Sequence, residues 1–166
     1  MSTLRATLLI GVFSLLSKIL GAVRQGVFAH RFGAGEEVDI YVAAFRVPDL
    51  LFNFLILGTL SVAFIPVFIN YLNRGKREAF VIASTIFNVT IVVMGVLSLL
   101  GVLLSPLLVA AIVPGFSSEA QQQTLTLTRV LMLSPLLFSL SSVLSSILHS
   151  FKRFLWASVA PLFYNL

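Results

Sequence analysis

The sequence predicts an all-α, polytopic membrane helix bundle, and three observations carry that reading. The 166 residues are 58% hydrophobic and only 10% charged, against about 25% charged in a typical soluble domain. Several windows reach the roughly 20 apolar residues that a spanning helix needs. No stretch alternates in the way a barrel strand must, so each spanning backbone has to satisfy its own hydrogen bonds as a helix.

The first spanning helix is expected from Ala6 to Ala29 and is followed by the chain break Phe32-Gly33-Ala34-Gly35. The second runs from Ile40 to Leu72 and contains Pro48 and Pro66, so it is expected to bend and to extend past the hydrocarbon at one end. The third, Phe80 to Val113, carries Ser105-Pro106 late and ends at Pro114-Gly115. The fourth spans Leu125 to His149, and a fifth begins near Phe154 and runs to Leu166. Thirteen residues rise only about 20 Å, short of the roughly 30 Å hydrocarbon core. Four complete helices and the start of a fifth are therefore expected, as the front part of a longer bundle.

The basic residues sort by loop. Arg5 precedes the first helix, Arg74, Lys76 and Arg77 follow the second, and Lys152 and Arg153 follow the fourth. The intervening loops hold Glu36, Glu37 and Asp39 on one occasion and Glu119 on the other, with Arg31 the main exception. The positive-inside rule then puts the N-terminus of this multi-pass chain in the cytoplasm. The net charge of +5 forms no single patch or arm, so nucleic acid is not expected as a partner. Met1 to Ala22 has the outline of a secretory signal, but Lys18 and the lack of a small-x-small cleavage site argue against one. Cysteine is absent, which excludes disulfides, thiol catalysis and cysteine-based metal sites. No HExxH, GxxxxGK[ST] or GxSxG motif occurs and no carboxylate pair has acid/base spacing, so neither enzymatic activity nor a cofactor or metal is expected.

Four ionisable residues, Lys18, Arg24, Arg46 and Asp49, fall within the apolar windows. A charge at bilayer depth costs about 2.5–3.5 kcal/mol on insertion scales and is normally turned toward a cavity or a partner. At 100° per residue, Ser14, Ser17, Lys18, Gly21, Arg24 and Gln25 share an arc of roughly 120° on the first helix. On the second, Asp39, Arg46, Asp49 and Asn53 share about 80°. Ser134, Ser141, Ser142, Ser145 and His149 form an uncharged third stripe on the fourth. Plainer readings compete: helix packing for the serines, a neutralised Arg46 and Asp49 pair, snorkelling by Arg24, and an interfacial place for His149. None of these explains the sign. Three cations against one anion leave a surplus of about two positive charges turned inward, and guanidinium forks match phosphate oxygens. An anionic, lipid-linked substrate crossing the bilayer is the expectation, with Lys18, Arg24, Arg46, Asp39, Asp49, Asn53 and Ser17 as candidate binding residues.

Ser17-Lys18-Ile19-Leu20-Gly21 with Arg24, then Phe32-Gly33-Ala34-Gly35 and Asp39, Ala44-Phe45-Arg46-Val47-Pro48 with Leu50-Leu51, and Ala63-Phe64-Ile65-Pro66 follow in order along the chain. Pro114-Gly115-Phe116, Arg153-Phe154, Ala160-Pro161 and Asn165 extend the series. This pattern resembles the MurJ/MviN family of lipid II flippases, within the multidrug/oligosaccharidyl-lipid/polysaccharide exporter superfamily. The resemblance covers nearly the whole chain. It implies two six-helix lobes around a cationic cavity, of which residues 1–166 supply most of the first, and alternating access that moves an undecaprenyl-pyrophosphate-linked precursor outward across a bacterial cytoplasmic membrane. The implied partners are that lipid II-like anionic glycan, membrane lipids and the remaining helices of the same transporter, and the isolated chain is not expected to flip substrate. The family's cavity cations fall on Lys18, a Lys where Arg is usual, and on Arg24. The acidic residue usual after the second is Gln25 here. Phe52, Asn53 and Leu57 stand where two arginines and a glutamate are usual, with Gly58 kept. Two other readings therefore remain: export of another polyprenyl-linked glycan, and a divergent, non-transporting half-lobe that binds partners. Export of a drug-like cation would call for more inward acid than Asp49 alone supplies.

Overall fold

The computed structural model describes residues 3–33, 35–53, 60–153, 155–156, 159 and 165. Among them lie six helices and no strand: α1 (Thr3–Phe32), α2 (Glu36–Phe52), α3 (Leu60–Arg74), α4 (Lys76–Ile112), α5 (Ser118–Leu131) and α6 (Ser134–Ser150). Three helical stretches, Leu8–Phe32, Lys76–Ile112 and Ser118–Ser150, are long and apolar enough to cross a bilayer. The expected second helix corresponds to α2 and α3, with residues 54–59 outside the described ones. The expected fourth helix begins earlier, at Ser118, and is broken into α5 and α6 at Met132 and Leu133, because Pro135 has no amide hydrogen for the carbonyl of Leu131. Of the expected fifth helix, Leu155, Trp156, Val159 and Asn165 are described, and they are helical.

Local chemistry sets the helix ends. Gly33 leaves α1 in the left-handed conformation at φ 67°, as a helix C-terminus commonly requires. Glu36, Glu37 and Asp39 sit in the first turn of α2, where acids oppose the positive end of the helix dipole. Ser117 caps α5 by accepting from the amide of Ala120 at 3.1 Å, and its hydroxyl lies 3.2 Å from Glu36 Oε1, tying α5 to the start of α2. At the end of α6 the amides of Lys152 and Arg153 bond to the carbonyls of His149 and Leu148. This closure puts Lys152 at φ 57°, a place glycine usually takes.

Small residues bring the helices together. The packed face of α6 is Pro135, Ser139, Val143 and Ser146, and that of α4 includes Ala79, Ala83, Ser98, Gly101 and Ser105. Such seams let membrane helices approach closely without a hydrophobic driving force. The packing seam on α6 thus differs from the expected stripe of Ser134, Ser141, Ser142, Ser145 and His149. Ser139 and Ser146 are instead buried and bond back to the carbonyls of Leu136 and Ser142. At Gly101 an added Cβ would lie 2.7 Å from Met132 Sδ, so the break between α5 and α6 seats directly on α4.

α3, α4 and α6 meet at an aromatic cluster. Phe68 is fully buried; its ring stacks on Phe64 at 5.3 Å and meets Phe151 edge-on at 5.7 Å, while Phe151 stacks on Phe80 at 6.1 Å. This cluster gathers the basic loops, Arg74 to Arg77 and Lys152 to Arg153, at one end. Glu36, Glu37 and Glu119 meet around one small cavity at the other.

The prolines inside α2 and α4 pose a separate problem. A proline lacks the amide hydrogen that would serve the carbonyl four residues earlier, and hydrocarbon offers no water in its place. Pro48 leaves the carbonyl of Ala44 without its helical donor, and the Thr128 hydroxyl of α5 reaches it at 3.4 Å. Pro106 does the same to Val102, whose carbonyl accepts from the Ser105 hydroxyl at 2.7 Å. Ser105 Oγ in turn accepts from Arg129 Nε at 3.3 Å.

α1 touches the other helices differently. Near its end Phe28 packs on Phe32 at 4.7 Å and on Tyr41 at 5.0 Å, and Tyr41 continues to Phe45 at 4.9 Å. Midway along, Asn165 donates from Nδ2 to Ser17 Oγ at 2.8 Å and to the Ser17 carbonyl at 3.1 Å. A Cβ on Gly21 would stand 3.1 Å from Asn165 Oδ1.

Two stability predictions follow from these contacts. Phe68→Ala should cost about 3 kcal/mol and Phe68→Leu well under half of that, read as thermal unfolding in detergent. Gly21→Leu and Asn165→Ala should each cost about 1 kcal/mol without additivity when combined, since both break one contact; additive losses would show that they act separately.

Candidate functional site

α2 segregates its residues by face. Ile40, Ala43, Ala44, Val47 and Pro48 are buried against the bundle, whereas Asp39, Arg46, Asp49 and Asn53 are exposed. At 100° per residue the charged stripe is centred about 140° from the buried face. The polar stripe read from the sequence is therefore real, but it lies on the side of α2 that this chain leaves open rather than within its packed core. Its members do not cancel one another. Among the described residues, Arg46 and Asp49 form no ion pair within 4.0 Å, so the neutralised-pair reading does not describe this helix.

Asp39 and Arg46 share a groove of about 460 Å³ whose far wall is the end of α4 and the Pro114-Gly115-Phe116 turn. Ala43 and Val113 line it and pack with Val109 in one buried cluster. The turn is held by Gln121, whose Nε2 donates to the carbonyl of Val113 at 3.1 Å and lies 3.5 Å from that of Phe116. A rigid wall thus faces a carboxylate and a guanidinium at i and i+7. Asp49 and Asn53 continue the stripe beyond this groove.

On α1 the expected polar arc is divided. Ser17 is buried under Asn165 and packs α1 rather than lining open space. Lys18 and Arg24 are exposed. Arg24 lies within about 20° of Ser17 around the helix and Lys18 about 100° away, so the two cations flank the tied face. The Phe28 and Tyr41 contact sets α1 beside α2, next to the edge that carries the charged stripe.

Phe52, where the family resemblance expects arginine, is half-buried and meets Phe138 of α6 edge-on at 5.6 Å. An aromatic contact between helices has taken the place of a charge. Asn53 beside it is exposed, and Leu57 and Gly58 lie outside the described residues.

Sequence reasoning missed one residue. Arg129 lies inside the fourth apolar window, is exposed and is pinned to α4 through Ser105. The signal that would have found it is the one used for the other four, a charge within a membrane span. It raises the cation surplus across the spans. No group of three or more His, Cys, Asp or Glu able to hold a metal occurs among the described residues.

The family model for the lipid II flippase MurJ matches residues 28–166. A probable lipid II flippase MurJ of Buchnera aphidicola is 32% identical over 170 residues, covering all of this chain and 33% of the relative. The lipid II flippase MurJ of Burkholderia cenocepacia is 30% identical over 168 residues, covering 99% and 33%, and a probable one from Rhizobium tropici is 32% identical over 174 residues, covering 100% and 32%. The chain spans about one third of the length of these curated relatives. A multi-pass, all-helical membrane chain with this match along most of its length belongs to the MurJ lipid II flippase family.

Proposed function

We propose that the chain forms most of the first lobe of a flippase that moves a polyprenyl-pyrophosphate-linked peptidoglycan precursor, of the lipid II type, across the bacterial cytoplasmic membrane. The carrying observation is the set of cations Lys18, Arg24 and Arg46 exposed on two adjacent apolar helices. Hydrocarbon does not tolerate such groups, and a lobe completed by further helices turns them toward an aqueous path. A pyrophosphate is the ligand whose charge and oxygen geometry fit them. The residues bind and orient, and the substrate crosses chemically unchanged, so the protein is a transporter and not an enzyme.

Asp39 and Arg46 form the outer part of this path beside the 460 Å³ groove, with Asp49 and Asn53 deeper. Alternating access exposes these groups first to one side and then to the other. A second reading, export of a different polyprenyl-linked glycan, draws on Phe52: with its ring packed on Phe138, this face has fewer cations for the headgroup than the family resemblance implies.

In the full-length protein, Lys18→Ala and Arg24→Ala should each lower precursor translocation by about tenfold or more, measured in proteoliposomes and as loss of support for cell-wall growth, with expression unchanged. Unaltered translocation in both variants would remove them from the path. Orientation is testable because the chain has no cysteine. A single cysteine at Lys76 should react with membrane-impermeant thiol reagents only from the cytoplasmic side, and one at Glu119 only from the opposite side. The reverse pattern would invert the topology.

A further inference from the structure

Three threonines of α5 treat their hydroxyls in two ways. Thr124 and Thr126 turn theirs back onto their own helix, to the carbonyls of Ala120 at 2.8 Å and Gln122 at 2.9 Å. This is the ordinary habit of a helical threonine. Thr128 is fully buried and reaches across to α2 instead, to the carbonyl of Ala44. That carbonyl is the one Pro48 cannot serve. The next residue, Arg129, attends to the second proline bend. Its Nε holds Ser105 Oγ, and Ser105 donates to Val102, the carbonyl that Pro106 cannot serve.

Two successive residues of one helix therefore attend the backbone at prolines in two others, Thr128 directly and Arg129 through Ser105. Pro48 lies between Arg46 and Asp49, so the backbone there sets how Asp49 and Asn53 follow Asp39 and Arg46 along the charged stripe. Pro106 lies three residues before Val109, which packs with Ala43 and Val113 beside the groove that Arg46 lines.

We propose that Thr128 and Arg129 are positioning residues for the charged face of α2: they fix the backbone at Pro48 and Pro106 relative to one another and so hold Asp39, Arg46, Asp49 and Asn53 in one arrangement, without touching substrate themselves. The proposal rests on the reading of that face as a path for an anionic lipid-linked substrate. Arg129 acts through Ser105, and its role is to keep that hydroxyl aimed at Val102. A strut of this kind couples the two proline sites, since moving α5 alone would strand the Ala44 carbonyl in hydrocarbon and take from Ser105 the guanidinium that holds it.

The test is a set of variants of the full-length protein, each assayed for thermal unfolding in detergent and for translocation of a fluorescent polyprenyl-pyrophosphate-linked glycan in proteoliposomes. Thr128→Val removes the donor at nearly constant volume. It should lower the melting temperature by about 3 °C and translocation on the order of tenfold, and Thr128→Ser should restore both. Pro48→Ala gives residue 48 an amide hydrogen for Ala44. Alone it should keep the melting temperature and lower translocation, and in Thr128→Val/Pro48→Ala it should bring the melting temperature back while translocation stays low. Ser105→Ala with and without Pro106→Ala repeats the cycle on α4, and Arg129→Met should mimic Ser105→Ala more weakly. The proposal is overturned if Thr128→Val translocates at the parental rate, if Pro48→Ala does, or if the double variant melts as low as Thr128→Val. Arg46→Ala separates the two ideas. Parental translocation by that variant removes the substrate path, whereas a low melting temperature of the double variant with Arg46→Ala still impaired removes only the positioning role.

Discussion

Inside a bilayer every backbone amide and carbonyl must find its partner within the protein, and the rest of this structure depends on how that requirement is met where prolines interrupt it. α2 and α4 both contain an internal proline, and the carbonyl that each leaves without a helical donor is costly in hydrocarbon unless another donor is supplied. Thr128 supplies one from a neighbouring helix, and Ser105 supplies the other from its own. α5 consequently packs between α2 and α4 even though it is the most polar helix of the bundle. Polar side chains of α5 find carbonyls there: Gln121 that of Val113 after α4, and Thr128 that of Ala44 in α2.

The charged stripe of α2 obeys a different rule. Asp39, Arg46 and Asp49 are exposed and stand clear of the buried face that Ala43, Ala44 and Val47 fill. An Arg46 and Asp49 pair would have cancelled the charge and left nothing for a ligand. The helix instead keeps the guanidinium and the carboxylate apart, so each still has its hydrogen-bonding capacity to offer. Phe52, one turn beyond Pro48, packs on Phe138 of α6 and brings no charge to the stripe.

Much of this was readable from the amino acids alone, and the limits are instructive. The spans of α1 and α4 were legible because continuous apolar sequence leaves few alternatives, and the faces of α2 because a period of 3.6 residues sorts charge from alanine and valine. The early start of the fourth helix was not: Ser118 to Gln123 is too polar to register as membrane sequence, and only its contacts with α2 and α4 explain why it is helical there. The break at Met132 and Leu133 followed from Pro135, which was visible, but not how the break seats on Gly101. Ser17 looked like part of an open polar arc, and the residue that covers it, Asn165, is 148 positions away. No local pattern announces a partner at that separation.

The polarity of α5 bears on how such a chain enters a membrane at all. Three consecutive glutamines, Gln121 to Gln123, followed by three threonines and an arginine do not partition into lipid unaided, and an arginine near a helix centre adds about 2.5–3.5 kcal/mol to the cost of insertion. α6 carries the apolar surface that α5 lacks: the two form one stretch, Ser118–Ser150, whose most apolar 18-residue window has a mean hydropathy of 1.9. Biogenesis of this crossing is thus a joint event, in which α6 brings α5 into the bilayer and α2 and α4 must already be at hand to receive its polar side chains.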